Sequence, residues 1–242
     1  MKKRILVILS GGLDSTVLAY HLASQPDIQL VGAVSVDYRQ RHRYEILCAH
    51  RTADKLNIPH MVLDIPSMRE FMPTSALTSM LPVPKGHYAA DSMRATVVPN
   101  RNMILIALAT GVAISLRADG IAYGAHSGDH AIYPDCRPEF ADALANTIAL
   151  CDENPPQLWR PFIEWSKADI VHRGLFLGVP WEDTWTCYEG VEPGHYPSAC
   201  GTCGTCVERL EAFAKCGAVD PIPYRDSTSF EAILDTFAEE KK

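Results

Sequence analysis

The chain has 242 residues, 47% of them hydrophobic, which fits one large α/β domain or such a domain with a small appendage. A formal net charge of −7 argues against a protein that grips nucleic acid by its overall field and favours small-molecule substrates. Met1-Lys2-Lys3-Arg4 followed by apolar residues resembles a signal peptide, but the run stops at Leu9, and no apolar segment is expected to cross a bilayer.

The five aliphatic residues Ile5-Leu6-Val7-Ile8-Leu9 suit a strand, Arg4 to Leu9, buried on both faces of a parallel sheet. Ser10-Gly11-Gly12-Leu13-Asp14-Ser15 follows directly, and its glycines let the backbone turn sharply against a ligand. Asp14 or Ser15 is placed to cap the next helix, Thr16 to Ala23, whose free amides would suit a phosphate. No Gly-Lys-Ser/Thr ending marks it as a Walker A loop.

A second strand, Gln29 to Val36, leads into Asp37-Tyr38-Arg39-Gln40-Arg41-His42-Arg43 at the entrance of the helix Glu45 to Leu56. Cations are unfavourable at a helix N-terminus, so a nearby anion is the simplest explanation; a solvated basic turn offset by Glu45 is the plain one. After a strand at His60 to Leu63, the stretch from Pro66 to Pro99 loses its pattern and reads as a lid or dimer-contact segment. It ends in Val98-Pro99-Asn100-Arg101-Asn102, opening the helix Met103 to Leu116 with Arg101 placed to fork onto a phosphate or carboxylate.

A fourth strand, Gly120 to Tyr123, runs into a loaded loop holding His126, Asp129, His130, Tyr133, Asp135, Cys136 and Arg137, before the helix Glu139 to Leu150. A lone His126 or His130 reads first as a hydrogen-bonded structural residue, and a Cys136 thiol beside Arg137 would have a lowered pKa. A strand at Trp159 to Phe162, a helix Lys167 to Phe176 with Lys167 as a point charge for phosphate, and a helix Val207 to Cys216 complete the pattern; Phe237 to Lys242 reads as a polar tail. Alternating strands and helices imply a parallel sheet with helices on both faces, and ligands then bind beyond the carboxyl ends of the first, second and fourth strands.

Of the eight cysteines, Cys200, Cys203 and Cys206 lie at x2 spacing, with Cys187 upstream. Four thiolates complete a closed tetrahedral zinc site, structural because no position remains for water. The same spacing suits an iron–sulfur cluster. Metal-ligand spacing rather than a disulfide framework favours the cytosol, and Cys48, Cys151 and Cys216 read as packing residues on helix faces.

SGGLDS resembles the PP-loop of the N-type ATP pyrophosphatases. Together with YRQRH, VPNRN, GDHAIYPDCRPEF, TWTCYEG and CGTCGTCVER, it makes the chain similar almost end to end to the 7-cyano-7-deazaguanine synthases of queuosine biosynthesis. The loop from Pro193 to Ser198 is longer than in some members. The resemblance implies a Rossmann-like, adenine nucleotide alpha hydrolase-like α/β domain over residues 1–180. A zinc-binding helical segment, residues 181–242, would pack on it.

The implied activity is that of a cytoplasmic carbon–nitrogen ligase joining 7-carboxy-7-deazaguanine and ammonia, with adenylated carboxylate and amide intermediates. ATP with Mg²⁺ would bind at Leu9, Ser10, Gly11, Gly12, Leu13, Asp14, Ser15 and Thr16, with Asp14, Ser15, Arg101 and Lys167 catalytic. Arg41, His42, Asp129, Tyr133, Asp135 and Arg137 would bind the deazaguanine, with Tyr133 stacking on or bordering the ring, Asp135 on its amidine-like edge and Arg137 on the carboxylate. One structural Zn²⁺ per chain would sit on Cys187, Cys200, Cys203 and Cys206. Small molecules are the expected partners, without direct nucleic acid or membrane, in a homodimer. A thiolating enzyme of RNA, a variant that conjugates the deazaguanine to a protein amine, and a zinc-ribbon nucleotide sensor stand as alternatives.

Overall fold

The computed structural model describes residues 1–191 and 195–226, so the tail Phe237 to Lys242 and part of the Pro193 to Ser198 loop lie outside the described residues. Five strands form one sheet in the order β3-β2-β1-β4-β5. These are β1 (Lys3–Ile8), β2 (Ile28–Asp37), β3 (His60–Asp64), β4 (Gly120–Ala122) and β5 (Gln157–Trp159), and every pairing is parallel. The central β1 explains its own sequence. Ile5 and Val7 point to one face, against α1 (Leu13–Ala23), α6 (Lys167–Leu177) and α7 (Gly204–Lys215). Leu6 points to the other, against α4 (Arg101–Ser115). A strand covered on both sides has no polar position to spare.

The chain order reverses between β2 and β4 on either side of β1, which opens a crevice at the carboxyl ends of these three strands. Two further helices, α2 (Tyr44–Lys55) and α5 (Pro138–Ile148), and a short α3 (Ser67–Phe71) complete the helical set.

Three local expectations change. α1 starts at Leu13, because Gly12 takes the extended N-cap conformation (φ −72°, ψ 167°) with no side-chain cap; Asp14 and Ser15 therefore lie inside the first turn and cap nothing. β5 ends at Trp159, since the chain turns at Arg160, where Ile163 N–H donates to the Arg160 carbonyl, and Pro161 has no amide to give a ladder. Cys48 is buried and Cys216 half-buried as expected, but Cys151 is exposed in the turn after α5.

Within the run Asp91–Ser115 an 18-residue window reaches mean hydropathy 1.5, a value that a core helix also reaches. In the fold the run is a 3₁₀ turn, Asp91–Thr96, separated from α4 by extended residues and by Asn100 in the left-handed region (φ 59°). The inner face of α4, Ile106, Ala109 and Ala113, is buried against the sheet.

The C-terminal segment is not a separate layer. Ala212 and Phe213 of α7 enter the main core beside Val17 and Phe162, and the Phe213 ring meets Trp181 edge-on at 5.0 Å. Burying a phenyl ring of this kind contributes about 2 kcal/mol.

Candidate active site

The loop after β1 folds back on its own hydroxyls. Ser10 and Gly11 amides donate to Ser15 Oγ (3.2 Å each), the Gly12 amide donates to Ser10 Oγ (3.2 Å), and the two hydroxyls lie 3.0 Å apart. Three consecutive N–H groups thus converge at the start of an eleven-residue helix, a nest for anionic oxygens. Gly11 is required: its φ is +87°, and a Cβ there would stand 1.9 Å from the Glu45 carbonyl oxygen. The Gly11 carbonyl accepts from Trp185 N–H (2.9 Å), which ties the loop to the C-terminal segment.

A cleft of about 200 Å³ opens over this loop, lined from β1 by Leu9, Ser10, Gly12, Asp14 and Ser15. β2 and its loop supply Tyr38, Gln40 and His42; β4 and its loop supply Tyr123 and Asp129; α4 and α6 supply Arg101 and Lys167. The C-terminal segment adds Trp185, Thr186, Tyr188, Thr205 and Glu208.

Lys167 opens α6 behind the capping box of Ser166 and Asp169, which fixes the helix start and hence the lysine. Its Nζ lies 2.9 and 2.7 Å from the two Asp14 carboxylate oxygens, 3.3 Å from Glu208 Oε2 and 2.9 Å from His126 Nε2. Burial opposes the charge on Lys167, but Asp14 and Glu208 outweigh it and push its pKa above the ordinary lysine value. Burial likewise opposes ionisation of Asp14, yet Lys167 and His126 hold its carboxyl below the usual 3.8. At Glu208 desolvation wins, and its pKa rises. His126, fully buried, accepts from Gly128 N–H at Nδ1 (3.1 Å), and its Nε2 lies 3.4 Å from Asp129 as well as beside Lys167.

The other end of the cleft is aromatic. Arg101 lies over the Tyr133 ring, 5.6 Å from its centroid, and interacts with the Tyr38 and Tyr188 phenols as well. Part of its surface stays open to the cleft while its guanidinium is deep enough for burial to oppose the charge.

Several expected substrate contacts are engaged elsewhere. The Arg41 guanidinium donates to the carbonyls of Ser79 and Leu81, while Arg43 pairs with Asp37 and Arg39 with Asp64, so the basic cluster is answered from within. Asp135 accepts from the Asn102 amide (2.9 Å) and so caps α4. Arg137 donates through Nε to the His130 carbonyl (2.9 Å). Tyr133 hydrogen-bonds Thr96 (2.6 Å) and backs the cleft behind Arg101 instead of bordering it. Cys136 does line the cleft, but burial pushes its thiol well above the ordinary range, the reverse of an activated nucleophile.

The sequence reading missed Glu208, Tyr38 and Tyr188. Glu208 follows the last clustered cysteine by two residues on α7 and carries no local signal; only the fold turns it inward beside Lys167.

Cys187, Cys200, Cys203 and Cys206 are all buried, and their Sγ atoms lie within 4.8 Å of one another. Tetrahedral coordination at ~2.3 Å places thiolates about 3.8 Å apart, and Cys200 and Cys206 stand at 3.8 Å. Backbone amides of Thr202 and Cys203 donate to Cys200 Sγ (3.4 and 3.2 Å), as they do around a metal-bound thiolate. The donor set fits a tetrahedral metal ion.

Residues 4–217 match the family model described as queuosine biosynthesis protein QueC. The 7-cyano-7-deazaguanine synthase of Methanoregula boonei is 47% identical over 221 residues, covering 91% of this chain and 99% of that protein. The synthase of Marinobacter nauticus is 48% identical, covering 93% and 98%, and that of Rhizobium johnstonii 45%, covering 97% and 98%. The chain belongs to the queuosine biosynthesis protein QueC family.

Proposed function

We propose that this protein is an ATP-dependent ligase that converts 7-carboxy-7-deazaguanine and ammonia to 7-cyano-7-deazaguanine. The observation that carries the reading is the identity of 45 to 48% to synthases of that name along nearly the full length of both chains. The cleft supplies chemistry suited to it.

A carboxylate cannot expel oxide to ammonia, so one oxygen must first become a phosphate-ester leaving group; ammonia then gives the amide and releases AMP. The amide oxygen is adenylated in turn, and elimination of AMP with loss of both nitrogen-bound protons leaves the nitrile. Both rounds need in-line attack on the α-phosphorus with the pyrophosphate held still. The amides of Ser10, Gly11 and Gly12 can exchange their serine hydroxyl acceptors for phosphate oxygens, and Lys167 can supply positive charge at the same end of the cleft.

Mg²⁺, when bound, would neutralise phosphate charge, held by Asp14 and Asp129, whose carboxylates line the cleft. Zn²⁺ on the four cysteines would be structural, with no coordination position left for substrate. Residues 1–180 then act as the ATP-binding unit, and residues 181–242 as a metal-anchored segment that closes one wall of the cleft. Four thiolates need a reducing compartment, which supports a cytoplasmic location.

The test is mass spectrometry of the small molecules after incubation with 7-carboxy-7-deazaguanine, Mg-ATP and ammonium. The nitrile should appear with AMP and pyrophosphate, and Asp14→Ala should abolish it while keeping the circular dichroism of the parent. No consumption of the acid would discard the reading.

A further inference from the structure

The two cations of the cleft stand in opposite circumstances. Lys167 is neutralised by Asp14 and Glu208. Arg101 has no such partner: among the described residues no carboxylate comes within 4.0 Å of it, and its electrostatic neighbours are Tyr38, Tyr188, Tyr133 and Cys136. Phenols at neutral pH are uncharged, and burial pushes Tyr38 up to about 12. They can donate, accept and stack, but they cannot cancel a guanidinium. Buried charges in folded proteins are ordinarily paired, so this one is complementary to an anion that arrives from solvent.

The fold indicates which anion. α1, which presents the phosphate loop, packs on the Ile5 and Val7 face of the sheet, whereas α4, which presents Arg101, packs on the Leu6 face. Arg101 therefore reaches the carboxyl ends of the strands from the side opposite the loop. A nucleophile held there would meet a nucleotide whose phosphates lie on the loop from the opposite side.

Given the two-round reaction proposed above, we propose that Arg101 binds the carboxylate of the deazaguanine and selects the acid for the first adenylation, while the uncharged amide passes through the second without that ion pair. The guanidinium donates two N–H bonds to the carboxylate, and one oxygen keeps a lone pair for attack on the α-phosphorus; the pyrophosphate leaves toward Gly11 and Gly12, and no bond to Arg101 forms or breaks. In the second round the amide oxygen is the nucleophile, and it presents no negative charge to the guanidinium. Arg101 thus takes the role that sequence reading gave to Arg137, which is exposed and donates its Nε–H to the His130 carbonyl.

The experiment compares 7-carboxy- and 7-carbamoyl-7-deazaguanine as separate substrates, each at saturating Mg-ATP, with wild type, Arg101→Gln and Arg101→Lys. Wild type must first form the nitrile from both; if it does not, the underlying function fails and Arg101 is not at issue. With the function in place, the ratio of kcat/KM for acid over amide should fall about 100-fold in Arg101→Gln and about 10-fold in Arg101→Lys, which keeps the charge and loses the fork. An equal fall for both substrates, or none, in whichever variant folds would overturn the assignment, the first by placing Arg101 on ATP.

Discussion

Lys167 is held by more charge than one lysine needs. Asp14 takes it in two hydrogen bonds and Glu208 adds a third contact, with the lysine side chain buried. Removing the ammonium leaves two carboxylates facing each other, which costs more than the lost bonds. Lys167→Met should therefore lower the free energy of unfolding by about 3 kcal/mol in urea titrations and reduce kcat at least ~100-fold, the second effect exceeding what partial unfolding explains. The pH dependence follows from Asp14. Its folded pKa lies below the ordinary 3.8, so its ionised form contributes stability above that value, and the contribution is lost as pH falls through the folded pKa. Urea midpoints measured from pH 6 down to pH 3 should drop more steeply for wild type than for Asp14→Asn. Asp14 and Lys167 were legible in the sequence because each sits at a helix start beside a recognisable motif. Glu208 was not, since burial of an acid on a helix face is decided by what the rest of the fold packs against it.

At the scale of elements, the phosphate loop depends on one residue without a side chain. Gly11 combines a left-handed backbone with contact against α2, where a Cβ would also fall 2.6 Å from the Ala49 nitrogen. Gly11→Ala should cost on the order of 3 kcal/mol in thermal or urea unfolding, well beyond the usual price of an alanine at positive φ, because the loop must move off α2. Start signals explain which elements were legible. The β1 run, the glycine pair and the Ser166–Asp169 box announce their boundaries locally. The loop after β4 does not: Asp135, Arg137 and Tyr133 have the chemistry of substrate contacts, but Asp135 caps α4, Arg137 braces its own loop and Tyr133 backs Arg101. Which polar residues of a loop face a ligand depends on where distant backbone donors fall, and composition carries no trace of that. The same cap makes Asp135→Ala a test of the arrangement: loss of about 1 kcal/mol in stability, with a raised KM for the acid as the first turn of α4 loosens around Arg101.

The whole molecule is organised so that the cysteine cluster and the cleft share a helix. Cys203 and Cys206 bracket the start of α7, Glu208 on the next turn faces Lys167, and Phe213 beyond it enters the main core. Trp185, two residues before Cys187, donates to the Gly11 carbonyl, and Thr205 donates to the Thr186 carbonyl (3.0 Å), so the two arms of the cluster are tied to each other and, through Trp185, to the phosphate loop. Metal binding to four thiolates contributes on the order of 10 kcal/mol, enough to fix these walls. Loss of the metal should therefore abolish catalysis by dissolving one wall while leaving the strands paired. Cys203→Ser should lose its bound metal by elemental analysis, lose nitrile formation, and keep most of its far-ultraviolet circular dichroism with a lowered melting midpoint. Wild type should carry one zinc per chain and no iron. Iron at that stoichiometry, with visible absorbance, would replace the zinc assignment by a cluster; a metal-free variant that still forms the nitrile would show that the cysteines serve stability alone and that Glu208 can be held without them.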